Sequence, residues 1–117
     1  MTHKKAVEML RQGEVEDFNQ WIKERRKKGK SNVDLDDQNL SALKLRGADL
    51  RKAHLNGSNL RNADLQGADL HGAKLRQADL RGCDLRGCDL SEADLRRAKL
   101  KGARLRQAKT KAAKGLD

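Results

Sequence analysis

The amino-acid sequence predicts a β-solenoid that is closed at its N-terminal end by a helical segment. The main observation is a leucine at every fifth residue from Leu35 to Leu105, fifteen leucines in register without a gap. A small residue stands two positions before twelve of these leucines, and proline, which interrupts backbone ladders, does not occur in the 117 residues. Ahead of the repeats, apolar residues recur at helical spacing between Ala6 and Ile22.

The five-residue period distinguishes a solenoid from simpler elements. On an α-helix five residues turn through about 140°, so the leucines would spiral around the helix axis. On a flat strand an odd step places successive leucines on opposite faces. A chain that turns a corner once per five residues keeps every leucine inside, and stacked coils give each leucine neighbours above and below. The mostly charged or polar residues beside each leucine then face water.

Small residues and glycines mark the corners of this coil. The residue two positions before the leucine lies in a crowded inner corner, which Cys83 and Cys88 fill in two units. Two cysteines are too few for a disulfide framework, so free, buried thiols are expected. Two residues after the leucine, recurrent glycine predicts a tight turn with positive φ. Glycine stands there at Gly47, Gly57, Gly67, Gly72, Gly82, Gly87 and Gly102.

The five-residue units resemble the A(D/N)LXX consensus of the pentapeptide-repeat family over residues 33–109. The resemblance is carried by the units ADLRK, ADLQG, ADLHG, ADLRG, CDLRG, CDLSE and ADLRR. It implies a right-handed quadrilateral β-helix with four units in each coil, so that fifteen units make almost four coils and residues twenty apart stack. The family gives no catalytic precedent, so the resemblance implies no enzymatic activity.

Residues 1–32 are predicted to form an N-terminal α-helical cap and a basic linker. Phe18, Trp21 and Ile22 recur at helical spacing and are expected to pack on the first coil. An alternative is that Trp21 stacks on a base or another ligand. The segment that begins at Phe18 also resembles an extension of the form F/W-N-x-W-R that precedes the repeats in some family members. That extension brings no known activity with it.

The C-terminal end of the repeats has the strongest charge asymmetry in the chain. Thr110 occupies the position of the next leucine, so the repeats are predicted to end at residue 109, with residues 110–117 as a tail or short cap. From Arg96 to Lys114 there are nine basic residues and no acidic residue, in a chain of net charge +10. This basic end is a candidate surface for an anionic partner.

Two interpretations of the basic faces are open. Stacked arginines and lysines would form columns able to bind phosphates. The candidate anion-binding residues are Arg61, Arg81, Arg86, Arg96, Arg97, Lys99, Lys101, Arg104 and Arg106. The competing interpretation is a solvated, ion-paired wall, because arginines alternate with aspartates and the repeats contain no aromatic residue to stack a base.

No metal site, cofactor site or catalytic site is predicted. Asp49, Asp69 and Asp89 are expected to stack in a carboxylate column, but a straight column offers a cation only two ligands at a time. His54 and His71 are not expected to meet a second metal ligand, or a serine and an acid in the order of a catalytic triad. The chain is therefore not expected to be an enzyme.

The leading functional hypothesis is a non-catalytic interaction or scaffold protein with a protein partner, because solenoids usually work through their faces. The second is binding of nucleic acid or another anionic partner through the basic faces and the C-terminal coil. The third comes from resemblance alone: some family members interact with DNA gyrase as negatively charged DNA mimics, which a net charge of +10 disfavours. Without a signal-peptide-like or membrane-spanning apolar run, a cytoplasmic protein with no membrane contact is expected. Both a monomer and a dimer through the C-terminal coil are left open.

Overall fold

The computed structural model describes residues 3–116, and it begins with two short helices. α1 spans Lys4–Arg11 and α2 spans Val15–Lys27. The expected helical segment is divided because Gly13 adopts a left-handed conformation, with φ of 74°. The N–H of Gly13 donates to the carbonyl of Leu10 and the N–H of Glu14 to the carbonyl of Met9. These two bonds form a Schellman motif that ends α1 and lets α2 turn back.

The rest of the described chain is a coil whose turns are linked by parallel bridges between residues twenty apart. The bridges run from Asp34 with His54 to Asp94 with Lys114. The N–H of each repeat leucine from Leu35 to Leu95 donates to a carbonyl in the next coil, as Leu65 does to Asp84 at 2.8 Å. Within residues 3–116 these are single-residue bridges, and the coil contains no continuous strand. The chain turns too often for longer pairing, since one corner follows each leucine.

The corners adopt positive φ whether or not glycine is present. Gly67 and Gly87 have φ of 66° and 68°, and Lys52 and Gln77 at equivalent positions have φ of 56° and 60°. A non-glycine residue in this region costs about 1–2 kcal/mol. At Gln77 this cost is offset by a ladder hydrogen bond, because its N–H donates to the carbonyl of Arg96 at 3.0 Å. The recurrent glycines therefore indicated the correct conformation of the corner, which the fold imposes on other residues as well.

The core is a stack of leucines with the two helices over its first coil. The leucines from Leu35 to Leu95 are buried, and so are the small corner residues from Ala48 to Ala93. Val33 is also buried, whereas Leu43 is partly buried at the edge of the same cluster. The helices add five buried side chains to this cluster, which are Ala6, Val7, Leu10, Phe18 and Ile22.

Polar side chains of the helical segment also satisfy the backbone at the edge of the first coil. The Asn19 amide donates to the carbonyl of Gly47 at 3.1 Å and accepts from the N–H of Asp49 at 2.8 Å. The N–H of Asp34 donates to Nδ1 of His3 at 2.8 Å. The Arg11 guanidinium donates to the carbonyl of Asn39. The N-terminal end is therefore closed by hydrogen bonds as well as by apolar packing.

The coil geometry continues beyond residue 109, where the sequence predicts the end of the repeats. The N–H of Leu95 donates to the carbonyl of Lys114 at 2.8 Å, and the N–H of Lys114 donates to the carbonyl of Ala93 at 2.9 Å. At Gly115 the backbone lies so close to Leu95 that a Cβ would come within 2.6 Å of its carbonyl carbon. Part of the segment 110–117 thus belongs to the coil, because a bridge needs backbone groups and no leucine.

Candidate interaction surface

Arginine–aspartate pairs lie on the outer wall across Leu80, Leu85 and Leu95. The guanidinium of Arg81 donates to both carboxylate oxygens of Asp79, at 2.9 and 2.6 Å. Arg86 with Asp84 and Arg96 with Asp94 form the same two-bond contact. The two residues flank one leucine, so both side chains point outward and meet. Three candidate anion-binding arginines are therefore already paired.

Arg61 is less tightly engaged, with its Nε 4.0 Å from Oδ2 of Asp79. Earlier in the chain, Arg46 reaches Asp64 in the next coil at 2.6 Å. Arg26 of α2 donates to both oxygens of Asp49. Several arginines of the wall up to Arg96 are therefore engaged in ion pairs, as the second interpretation of the basic faces proposes. The exposed Lys44, Lys52, Lys74 and Arg76 form no salt bridge within residues 3–116.

The last coil, residues 96–116, differs because its cations after Arg96 form no such ion pair within the described chain. Lysine or arginine replaces aspartate before each leucine position, at Lys99, Arg104, Lys109 and Lys114. No side-chain hydrogen bond or salt bridge within the described chain engages the eight cations that follow Arg96, and all eight are exposed. These cations are Arg97, Lys99, Lys101, Arg104, Arg106, Lys109, Lys111 and Lys114. The candidates Arg97, Lys99, Lys101, Arg104 and Arg106 are therefore available to a partner.

The open end of the last coil also exposes part of the apolar core. Leu100 and Leu105 are partly exposed, in contrast to the buried leucines of the preceding coils. Leu116 is also partly buried against the core. On the side of the coil, a groove of about 330 Å³ is lined by Gln66, Arg86, Gly87, Arg106 and Gln107. The basic last coil thus combines unpaired charge with accessible apolar surface.

The structure brings His71 together with Ser91 and Asp89, but in an order that does not activate the serine. The Ser91 hydroxyl donates to Oδ1 of Asp89 at 2.5 Å. Nδ1 of His71 lies 2.8 Å from Oγ of Ser91. Because the hydroxyl proton is directed at the carboxylate, the imidazole acts as donor to Oγ and not as its base. In a catalytic triad the histidine stands between the acid and the serine.

The structure also places Asp34, Asp36 and His54 together, with possible ligand atoms within 4.8 Å of one another. Sequence reasoning missed this group because it considered columns twenty residues apart and not the pair that flanks one leucine. Oδ1 of Asp34 accepts the N–H of Asp36, and Oδ1 of Asp36 accepts the N–H of Asn56 at 2.7 Å. These bonds order the first coil beneath α1.

The predicted carboxylate column is occupied by side chains of the protein itself. Asp49 accepts from Arg26, and Arg51 lies between Asp49 and Asp69, at 3.3 and 3.6 Å from their oxygens. The hydrogen bond from Ser91 lowers the pKa of Asp89. The column therefore stabilises the wall through contacts within the chain.

The two aspartates whose pKa is lowered most lead us to expect a loss of stability in acid. Hydrogen bonds from Arg81 and Arg96 hold the pKa of Asp79 and of Asp94 at about 2. A carboxyl whose pKa is lower in the folded state stabilises the fold above its unfolded pKa, about 3.9, and loses that contribution as the pH falls towards the folded value. We expect the melting temperature to fall between about pH 4 and pH 2, and to fall less in an Asp79→Asn, Asp94→Asn double variant.

The matched control for this acid titration is Glu16→Gln on the exposed surface of α2. Its melting temperature should follow that of the unmodified protein at every pH. Equal slopes for the double variant and the unmodified protein between about pH 4 and pH 2 would show that these two pairs do not contribute to stability.

Cys83 and Cys88 are expected to react slowly with disulfide reagents in the native protein. Both are fully buried free thiols, and burial raises the pKa of each to about 12. Only the thiolate reacts with disulfide reagents, so the native protein should react slowly at pH 8. In the unfolded protein both thiols should react at once. A Gln20→Cys variant supplies an exposed control thiol. Reaction of a native cysteine as fast as this control would contradict the buried position.

Twenty-residue bridging around a leucine stack defines the chain as a repeat solenoid with one unit per five residues. A family model for pentapeptide repeats matches the chain in eight copies, over residues 44–82 and 73–109. The chain belongs to the pentapeptide-repeat family. No curated protein matches the sequence. No helix within residues 3–116 is long and apolar enough to cross a membrane.

Several solved structures are similar to this chain. HetL, a pentapeptide-repeat protein involved in heterocyst differentiation regulation from the cyanobacterium Nostoc sp. strain PCC 7120, is 39% identical with a TM-score of 0.70. The match covers 73% of this chain and 39% of HetL, so this chain spans well under half the length of HetL. The thylakoid-lumen pentapeptide-repeat protein AT2G44920 from Arabidopsis thaliana is 31% identical over 68% of this chain and 59% of its own, with a TM-score of 0.48. The Nostoc PCC 7120 protein alr5209 is 36% identical over 84% of this chain and 87% of its own, with a TM-score of 0.46.

Proposed function

We propose that the chain is a non-catalytic interaction module that binds an acidic protein through its basic last coil, residues 96–116. The observation that carries the proposal is the set of eight exposed cations that have no side-chain partner within residues 3–116, around the partly exposed Leu100 and Leu105. In this proposal the solenoid is the right-handed quadrilateral β-helix of almost four coils that its family resemblance implies. It serves as a rigid support for the binding end.

The unpaired state of these cations is what makes them suited to binding. A partner that engaged Arg81 or Arg86 would have to replace a two-bond contact with an aspartate already in place. The cations of the last coil require no such exchange, so their charge is available to attract and orient an acidic surface. Interfaces of this type gain association rate and specificity from the charges and affinity from the apolar centre.

A protein partner fits this surface better than nucleic acid does. Unpaired cations occur in every five-residue unit from residue 96 to residue 115, so they surround the end of the coil instead of following one groove. Residues 33–116 contain no phenylalanine, tyrosine or tryptophan on which a base could stack. Leu100 and Leu105 need an apolar partner, which a phosphate backbone does not supply. Nucleic-acid binding is therefore the second candidate, supported by the unpaired charge alone.

The experiment is a pull-down with the tagged full chain, performed with and without nuclease, followed by binding measurements on the purified partner. The test variant carries Lys99→Gln, Lys101→Gln, Arg104→Gln and Arg106→Gln. The control variant carries four neutralised lysines at the helical end, which are Lys4→Gln, Lys5→Gln, Lys23→Gln and Lys28→Gln. An acidic protein that survives nuclease, binds the control variant normally and binds the test variant at least tenfold more weakly is the expected result.

Two other outcomes would overturn this proposal. A partner that is lost on nuclease treatment, with affinity that falls steeply with salt, would establish nucleic-acid binding instead. Equal affinity of both variants for a protein partner would place the binding surface outside the last coil. The gyrase hypothesis ranks third, because a cationic end is the opposite of a polyanion; inhibition or protection in a supercoiling assay is its test.

A further inference from the structure

The five-residue unit around Leu35 carries a carboxylate where several other units carry the arginine that pairs with their aspartate. In the unit around Leu80, the arginine two positions after Asp79 donates to both oxygens of that carboxylate. In the unit around Leu35, the residue two positions after Asp34 is Asp36. Two carboxylates therefore flank the same leucine in the first coil.

His54 of the second coil lies beside these two carboxylates. His54 and Asp34 form one of the parallel bridges, so their backbones are stacked in register. The N–H of Leu35 donates to the carbonyl of His54 at 2.7 Å, and the N–H of His54 donates to the carbonyl of Val33 at 2.9 Å. Possible ligand atoms of the two aspartates and the imidazole lie within 4.8 Å of one another, and all three residues are partly buried. None of the side-chain hydrogen bonds within residues 3–116 involves the His54 imidazole.

Backbone hydrogen bonds orient both carboxylates. Oδ1 of Asp34 accepts the N–H of Asp36 at 3.1 Å, and Oδ1 of Asp36 accepts the N–H of Asn56 at 2.7 Å. An ionised carboxylate offers about four acceptor positions on its two oxygens, so a carboxylate that accepts an N–H can also coordinate a metal ion. Hydrogen bonds to ligating side chains fix their orientation in metal sites of proteins. The three side chains are therefore carried on ladder-bonded backbone, with the carboxylates already oriented.

The donor set favours a divalent transition-metal ion such as Zn²⁺. Zn²⁺ binds carboxylate oxygen and imidazole nitrogen at about 2.0–2.2 Å, and three protein ligands with water in the fourth position is a known zinc arrangement. At these bond lengths neighbouring donor atoms lie about 3.3 Å apart, so side-chain rotation has to bring the three donors closer by about 1.5 Å or less. Ca²⁺ takes six to eight oxygen ligands and Mg²⁺ keeps several of its waters, so neither ion gains from the imidazole.

We propose that Asp34, Asp36 and His54 bind one divalent transition-metal ion of the Zn²⁺ type, which joins the first coil to the second. The two aspartates belong to the first coil and the histidine to the second, so the ion links the same two coils as the ladder hydrogen bonds. Its role is structural, because an ion that binds the folded chain in preference to the unfolded chain stabilises the fold. The site lies in the first coil, away from residues 96–116, and is independent of the proposed function.

The test is a titration of the full chain with Zn²⁺, Mg²⁺ and Ca²⁺, after purification without a histidine tag and treatment with a chelator. The test variants are Asp36→Asn and His54→Asn. Asparagine fits both places in the coil. Asn56, which is stacked on Asp36, accepts the N–H of Arg76 through its side chain at 2.9 Å, and Asn59 holds the position before the leucine in the unit after that of His54.

The matched control variant is His71→Asn. It removes the other histidine of the repeats, whose Nδ1 lies 2.8 Å from Oγ of Ser91 and which belongs to a different wall of the coil. Calorimetry gives the affinity and the number of ions bound, and thermal unfolding gives the stabilisation. NMR of the His54 imidazole nitrogens in the unmodified chain reports coordination without any substitution.

The unmodified chain is expected to bind one Zn²⁺, with a rise in melting temperature that Mg²⁺ and Ca²⁺ do not produce and a shift of the His54 nitrogen signals. Each test variant should bind Zn²⁺ at least tenfold more weakly and lose most of that rise, whereas His71→Asn should retain both. Zn²⁺ that leaves the His54 signals and the melting temperature unchanged would overturn the proposal. Zn²⁺ affinity that is the same in both test variants as in the unmodified chain, or that falls equally in His71→Asn, would overturn it as well.

Discussion

Leu75→Ala is expected to lower the free energy of unfolding by about 3–5 kcal/mol. Leu75 is fully buried in the middle of the leucine stack, with equivalent leucines twenty residues before and after it at Leu55 and Leu95. The ladder hydrogen bonds on both sides keep the coils at a fixed spacing, so the backbone cannot collapse into the space that the side chain leaves. The measurement is urea denaturation of both proteins, with the two-state assumption checked by two spectroscopic probes.

Leu105→Ala is the matched control for this prediction. The same atoms are removed, but Leu105 is partly exposed in the last coil and has no coil beyond it in the described chain. Its replacement should cost about 1 kcal/mol, because less apolar surface is returned to water and little cavity forms. An equal loss in the two variants would show that Leu105 is covered in solution, which contradicts an open last coil.

The fold was predictable because one strong signal is repeated. The leucines from Leu35 to Leu95 and the small corner residues between them are buried as the five-residue period predicts. The positive φ predicted from recurrent glycine is found at every corner of that type, as at Gly67 and Gly87. Each five-residue unit needs the same buried leucine, small corner residue and positive-φ corner, so one sequence contains many repeats of the same evidence for the fold.

The ends of the solenoid were less predictable because no repeat describes them. The division of the helical segment depends on one left-handed glycine, Gly13, and the hydrogen bonds of Asn19 depend on how α2 lies across the first coil. Continuation of the coil to Lys114 depends on backbone pairing, which Thr110 in a leucine position does not prevent. A pattern in side chains cannot report an interaction made only by the backbone.

The candidate surface was only partly predictable for a related reason. The sequence places Arg81, Arg86 and Arg106 alike among basic residues on the wall. In the structure Arg81 and Arg86 are each bound by the aspartate two positions earlier, whereas Arg106 has Arg104 at that position and no side-chain partner in the described chain. The presence of aspartate two positions earlier would have separated Arg81 and Arg86 from Arg106, although it does not identify Arg46, which pairs with Asp64 of the next coil. Charge counts alone could not, because they do not record which side chains share a wall.

The exposed coil edge is covered in different ways at the two ends of the solenoid. A coil edge exposes backbone donors and acceptors and apolar side chains, which promotes unwanted pairing between chains. At the first coil, Phe18 and Ile22 cover the apolar surface and Asn19 binds the backbone. At the last coil exposed cations surround the edge, and in the proposed function they disfavour pairing with another copy and attract an acidic partner. Stability should therefore depend on the helical end, and binding on the basic end.

Phe18→Ala is accordingly expected to lower the free energy of unfolding by about 3–5 kcal/mol, because the ring is fully buried in the cluster that joins α2 to the leucine stack. Loss of the ring should loosen the helices and expose Trp21, whose centroid lies 6.3 Å from that of Phe18. Urea denaturation gives the stability change, and a shift of tryptophan emission to longer wavelength reports exposure of the cap.

Trp21→Ala is the control for the cap prediction, and it should cost less, about 1–2 kcal/mol. Trp21 is partly exposed, with its ring stacked against Arg25 at 4.9 Å and against the edge of His3. A cation–π contact at such a site contributes about 0.5–1 kcal/mol. If Trp21→Ala proved more destabilising than Phe18→Ala, the anchor of the cap would be Trp21. Because the basic last coil lies at the opposite end, the binding tests should be unaffected by either substitution under conditions where the variants are folded.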